Sequence, residues 1–187
     1  ILVFRDEIKN ILISLNSKQT RNFILYIILG TAPAVIIGIG FKDFFMELFD
    51  DQFAVGIALI FTGFFLIITF FIKASDEPYS FKNSFLIGLA QALAIIPGIS
   101  RSGMTISVAL MLGIASEKAA RFSFMLAIPV ISGATIMTLL ETNEYSQILN
   151  LSGLVGLLTS FIIGFISLKW LLIWIESGKL YIFGAYC

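Results

Sequence analysis

One stretch of this chain carries most of its reactive side chains: Gly88–Ile106, reading GLAQALAIIPGISRSGMTI. Arg101 is the only charge in it, and it lies far in sequence from any polar boundary. In an apolar setting a guanidinium costs about 2.5–3.5 kcal/mol or more to bury, so it must meet a wet cavity or a partner. Ser100, Ser102 and Thr105 supply hydroxyls around it, and Gly98 and Gly103 remove side chains from the same turn. From Met104 onward the sequence suits a helix, whose first amides have no intrahelical acceptor. Free amides, hydroxyls and one forked guanidinium together make a phosphate-binding constellation. Arginine suits it better than lysine because its planar fork can hold two phosphate oxygens. A second reading stays open, in which Arg101 pairs with a carboxylate elsewhere and the serines only cap a half-helix. Gln91, nine residues before Ser100, has two roles open to it: turning toward the loop to bond a ligand, or joining helices through its amide. A weaker group is Arg121, Ser123 and Pro129. Arg121 at the start of a span can meet an anionic headgroup or extend to the interface.

Such a turn needs elements to hold it, and composition names their solvent. Of 187 residues, 58% are hydrophobic and 13% charged, with a mean hydropathy of +0.99, against roughly 45–50% and about 25% in soluble domains. A soluble enzyme, a disordered chain and a nucleic-acid binder are excluded, and an all-α polytopic membrane protein is implied. Net charge is zero, with 12 basic and 12 acidic residues, so no overall field steers an anionic partner. Histidine is absent, which removes the commonest general base and metal ligand. The single cysteine, Cys187, excludes an internal disulfide and a cysteine metal cluster.

A span needs roughly 20 apolar residues. Phe23–Phe41, Phe53–Ile72, Ala119–Leu140 and Leu151–Ile173 meet that length. Ser84–Ala115, with 32 residues, is too long for one crossing and too short for two. Its Ile-Pro-Gly-Ile-Ser-Arg-Ser-Gly centre breaks helices. A re-entrant hairpin over about 84–115 is therefore expected, with half-helices Ser84–Ile96 and Met104–Ala115. Non-helical backbone at that depth is tolerated where protein or water satisfies it. Charge placement agrees. Residues 1–22 carry Arg5, Lys9, Lys18 and Arg21, and loop 116–121 carries Lys118 and Arg121. Loop 42–52 sets Lys42 beside four acids, and loop 141–150 has no basic residue. Entry and exit of the hairpin on one side puts every basic-rich loop in the cytoplasm. Pro33 and Pro129 fall inside spans, where each should kink its helix. Trp170 and Trp174 suit an interfacial anchor.

PGISRSGMT, Pro97–Thr105, resembles the second signature motif of the undecaprenyl-pyrophosphate phosphatase (bacitracin-resistance) family. LGTAPAVIIG (Leu29–Gly38), ARFSFMLAIPVISGA (Ala120–Ala134) and the terminal FGAYC resemble further family segments, so the match runs over essentially the whole chain. The resemblance implies one membrane domain over residues 1–187, with spanning helices and re-entrant hairpins in an inverted repeat. It implies removal of the terminal phosphate from undecaprenyl diphosphate, which recycles the lipid carrier for peptidoglycan and confers bacitracin resistance. The implied partners are that lipid and the bilayer, in a bacterial inner membrane. Ser100, Arg101, Ser102 and Thr105 carry over as catalytic residues. Gln91, Gly98 and Gly103 carry over as substrate-binding residues, and Arg121 joins them as a candidate. The family's first motif, with acidic residues, serines and a histidine, has no match here. A fragment cut at both ends, inactive alone, is the expectation. A divalent cation (Mg or Ca), if used, would draw its ligands from that motif, and no residue of this chain is assigned to metal. The nucleophile is left between water and Ser100. Broken helices also occur in transporters of polyprenyl phosphates or anions, which is the alternative reading.

Overall fold

The computed structural model describes residues 2–72, 75–141 and 150–187. Among these residues every regular element is helical. In chain order they are α1 (Arg5–Ile13), α2 (Lys18–Gly40), α3 (Lys42–Asp50), α4 (Gln52–Ile68), α5 (Phe81–Leu93), α6 (Arg101–Met111), α7 (Ser116–Glu141), α8 (Leu151–Glu176) and α9 (Ile182–Tyr186). Short 3₁₀ turns precede α1 and follow α4. Among the described residues four helical stretches are long and apolar enough to cross a membrane: Lys18–Gly40, Gln52–Phe71, Ser116–Leu140 and Leu151–Glu176. They coincide with the four apolar runs read from the sequence. Most of loop 141–150 lies outside the described residues, as does Lys73. Pro33 and Pro129 sit inside α2 and α7.

Helix starts follow local chemistry. Asp51, Ser80, Ser100 and Asn150 each cap a helix by accepting a backbone N–H of its first turn. α5 and α6 are short, at 13 and 11 residues, or roughly 20 and 17 Å of rise. Neither can cross a core about 30 Å thick. They pack on one another, and residues 94–100 join them. The two open ends of this pair also meet. Gly113, at φ +83°, turns the chain beyond α6. Its carbonyl accepts from Ser75 Oγ at 2.7 Å and Glu77 N at 3.1 Å, on the segment leading into α5. Lys118 pairs with Asp76 at 2.6 Å, and Tyr79 donates to the Lys118 carbonyl at 2.8 Å. Entry and exit are thus tied at one end, and the Pro97–Ser100 turn points to the other.

α6 is central, packed against α4, α5 and α7. Met104, Thr105, Ile106, Ser107 and Ala109 are all but fully buried, with Phe122 and Leu126 of α7 and Ile87 of α5 around them. Helix α5 crosses α2 where two glycines meet. A Cβ on Gly88 would lie 2.5 Å from the Gly30 carbonyl oxygen. α4 and α9 cross in the same manner, a Cβ on Gly63 meeting the Gly184 oxygen at 2.9 Å. Gly88→Ala must push two backbones apart. Overpacking of this kind costs about 1–3 kcal/mol, so the thermal midpoint in detergent should fall by several degrees. Gly133→Ala, facing open space, should leave it within about a degree. Equal midpoints for the two variants would contradict this crossing.

Candidate functional site

The turn carrying Arg101 is held by backbone chemistry. After α5, the amides of Ala94, Ile95 and Ile96 bond back to Ala90, Ala92 and Leu93 carbonyls, winding the helix down. Gly98 then adopts φ +92°, and a Cβ there would sit 2.5 Å from the Val55 carbonyl oxygen of α4. Glycine is required twice, for the dihedral and for the contact. The Ser100 amide donates to Thr62 Oγ1 at 3.1 Å, and Thr62 donates onward to the Ala58 carbonyl at 3.1 Å. Thr62 is fully buried halfway along α4. Nothing in the sequence marked this threonine; its one signal is that it is a lone hydroxyl among aliphatic and aromatic neighbours.

Ser100 accepts the Gly103 amide at 3.2 Å, and Met104 N makes the first full helical bond to the Ser100 carbonyl at 2.9 Å. The amides of Arg101 and Ser102 precede that bond and have no intrahelical partner. Arg101 opens α6, partly buried, and among the described residues no carboxylate pairs with it. Its side chain lines a cavity of about 390 Å³ between α2, the end of α5 and α7. Gln91 lines the same cavity. It is 1% exposed; its amide nitrogen reaches the Gly30 carbonyl only at 3.5 Å, and its Oε1 has no partner. Most of the other walls are apolar, with Val35, Ile39, Ile95, Val130 and Met137, and Lys42 and Thr138 also line the cavity. Arg101 also borders a smaller space of about 240 Å³ beside Phe4, Phe124 and Leu168.

The structure does not gather all the sequence-derived residues into one space. Gly98, Ser100, Ser102 and Gly103 line a separate cavity of about 410 Å³ against α4, α8 and α9. Thr105 faces neither cavity. It is 1% exposed, and its hydroxyl lies 2.8 Å from the Arg101 carbonyl oxygen and 2.6 Å from Ser123 Oγ. Arg121 stands at the opposite end of the bundle. It forms an ion pair with Glu7 at 3.2 Å and lies 5.9 Å over the Phe23 ring. It borders a polar cavity of about 400 Å³ with Tyr79, Asn10, Ser14, Thr20 and Asn22. That pairing, across 114 positions of sequence, was not foreseen. Among the described residues no three Asp, Glu or Cys side chains gather as metal ligands, and no carboxylate lines the Arg101 cavity. The residues lining this cavity do not by themselves supply the ligand set of a divalent cation.

A short capped helix that starts at an arginine unpaired among the described residues, inside a bundle of apolar spans, defines a polytopic helical membrane protein with an arginine-lined pocket. The bacitracin resistance protein BacA family matches residues 1–187, and the chain belongs to that family. It is 42% identical over 171 residues to a protein of Korarchaeum cryptofilum, covering 91% of this chain and 64% of that relative. It is 44% identical over 167 residues to one of Methanothermobacter thermautotrophicus, covering 86% of this chain and 92% of the relative. A third, of Halothermothrix orenii, is 36% identical over 192 residues, covering 100% of this chain and 73% of the relative. Each of these relatives bears the name undecaprenyl-diphosphatase.

Burial holds the Glu7 carboxyl above the ordinary carboxylate range; the Arg121 guanidinium opposes this and Glu117 adds to it. The Tyr79 hydroxyl is likewise raised by burial, against the pull of Arg121. A raised carboxyl binds its proton more tightly when folded. Its contribution to stability is therefore complete below the ordinary value of 4.5 and is lost as pH rises through the raised one. Glu7→Gln should flatten the fall in thermal midpoint with rising pH above about 4.5. A slope unchanged in the variant would show that Glu7 does not titrate in this cluster.

Proposed function

We propose that this chain carries the phosphate clamp of an undecaprenyl-diphosphatase, which cleaves the terminal phosphate from undecaprenyl diphosphate. The observation that carries this is the Arg101 cavity. It joins the Arg101 guanidinium, unpaired among the described residues, and the Gln91 amide to a largely apolar groove that Lys42 and Thr138 also line. A charged head on an apolar chain matches that lining. Val35, Ile39 and Met137 are exposed on the outer surface of the bundle, so a prenyl tail can leave sideways into lipid. Family membership and the names of the relatives support the same reading.

In this reading α5 and α6 form a re-entrant hairpin, entering and leaving from the face that carries Arg121 and Lys118. The turn then lies at depth beside the middle of α4. The Arg101 fork and the free amides of the first α6 turn neutralise charge on the transferred phosphoryl group. Gln91 Nε2 can donate to a phosphate oxygen, a better partner than its 3.5 Å contact. An attacking water forms the new P–O bond at the terminal phosphorus. The bond to the bridging oxygen breaks, giving lipid monophosphate and inorganic phosphate, and one proton passes to a base. Ser100 is not activated by any described neighbour: its hydroxyl caps α6. We assign water as nucleophile; no carboxylate lines the Arg101 cavity among the described residues, so the base that takes the proton lies outside that lining. The lipid monophosphate returns to envelope-polymer synthesis, and bacitracin resistance follows from consuming the diphosphate. A cell membrane is the site of action, bacterial in the first instance, although archaeal proteins stand among the relatives.

The test is phosphate release from undecaprenyl diphosphate by the full-length protein in detergent. Arg101→Ala should lower kcat/KM about 100- to 1,000-fold, the scale of losing one fixed charge-stabilising donor. Arg101→Lys should keep less than about a tenth, because a point charge cannot make two parallel bonds. No release from the wild-type protein would overturn the assignment. Full activity in Arg101→Ala would move the phosphate site elsewhere.

A further inference from the structure

Ser123 is a buried hydroxyl that none of the steps above uses. It lies on α7 and is 3% exposed. Its Oγ is 2.6 Å from Thr105 Oγ1, its one hydrogen-bond partner among the described residues. Each hydroxyl has one proton to donate, and the surroundings decide where the two protons go. Thr105 Oγ1 has the Arg101 carbonyl oxygen at 2.8 Å and the Ser102 carbonyl oxygen at 3.3 Å. Both protons are used when Thr105 donates to Arg101 O and Ser123 donates to Thr105. In the reverse order Thr105 donates to Ser123, and the Ser123 proton has no acceptor in a dry interior. Leaving a buried donor unmade is the costly choice. The order Ser123, Thr105, Arg101 carbonyl is thus set by satisfaction alone.

This relay joins two walls of one cavity. Its far end is the backbone of Arg101, whose side chain lines the apolar groove. Its near end is α7, whose Pro129, Val130 and Gly133 form the opposite wall of that groove. We propose that Ser123 is a positioning residue, which fixes the rotation of the first α6 turn and so the direction in which the Arg101 fork leaves the backbone. The inference rests on the phosphate-clamp reading of Arg101. Ser123 touches no substrate; it acts through Thr105.

The test uses the full-length protein with Ser123→Ala, Thr105→Val and the double substitution. Phosphate release should lose about tenfold in kcat in each single variant, the scale of one buried hydrogen bond. KM should move by less than about twofold, since fork geometry matters most as charge develops. The double variant should be no slower than the worse single variant, because both break one chain. Hydrogen exchange gives a readout independent of activity: amides of residues 101–106 should exchange about tenfold faster in both single variants, with α8 unchanged. Ser123→Cys keeps the shape with a weak donor and should fall between wild type and Ser123→Ala, which preserves the test if the alanine variant folds poorly. Additive losses in the double variant, or unchanged exchange over 101–106, would overturn the relay. If the wild-type protein releases no phosphate, the clamp reading fails, and exchange over 101–106 alone decides whether Ser123 holds the turn.

Discussion

A guanidinium and a stretch of non-helical backbone must both be held inside a bundle of apolar helices, and the rest of the structure answers to that. Backbone amides without acceptors are costly where water is scarce. The turn over residues 94–100 escapes the cost in three ways. It winds down through short-range bonds from α5, it hands the Ser100 amide to Thr62, and it lets the Ser100 hydroxyl cap the helix that follows. Each is a local solution of about 1 kcal/mol. Together they leave the amides of Gly98, Arg101 and Ser102 without a partner among the described residues, the last two at the start of α6.

Holding a turn at that place requires its supports to come close, which explains the glycines at the helix crossings. Gly30 and Gly88 bring α2 against α5, and Gly63 and Gly184 bring α4 against α9, at distances no Cβ permits. Helices in lipid gain little from burying apolar side chains against one another, so contact of this kind and interhelical hydrogen bonds must hold them. Helix α6 shows the consequence. Its residues Gly103–Ser107 are buried from all sides, and Thr105 serves as one of its polar ties to a neighbour. A helix so enclosed keeps its N-terminus fixed, which a preorganised phosphate pocket needs.

The spans were legible because a run of about 20 apolar residues has few other uses. The broken helix was legible because Pro-Gly and Ser-x-Ser-Gly chemistry between two apolar stretches cannot continue a helix. The family emerged from Pro97–Thr105 and was confirmed across the chain. Three things were not legible, each for a physical reason. Thr62 carries no periodic signal, since one hydroxyl in a span reads as packing. The Glu7–Arg121 pair joins residues that only the tertiary fold brings together. Thr105 matched the motif, but it lies one turn deeper along α6 than Arg101, where α7 covers it and its hydroxyl meets Ser123. Motif membership names the residues that matter; depth along the helix and helical phase decide which of them meet a ligand.

The same phase explains why Arg101 and its flanking serines line different cavities. Successive residues on an α-helix diverge by about 100°, so Ser100, Arg101 and Ser102 cannot all face one side wall. Arg101 looks toward α2 and α7, and the serines look toward α4 and α8. The one place adjacent to all three is end-on, over the first turn of α6, where the unpaired amides point and the helix dipole is positive. An anion there would draw on both cavities at once, with Arg101 folding over it from one side and hydroxyls approaching from the other. In the proposed reaction a diphosphate has two charged groups to place and a leaving oxygen between them. An end-on position offers the amides to one phosphate and leaves the aliphatic groove beside Arg101 for the chain that follows. In the proposed reading, the division between the two cavities follows from a helix N-terminus serving as the cradle, with head and tail of the lipid taken by different faces of the same turn.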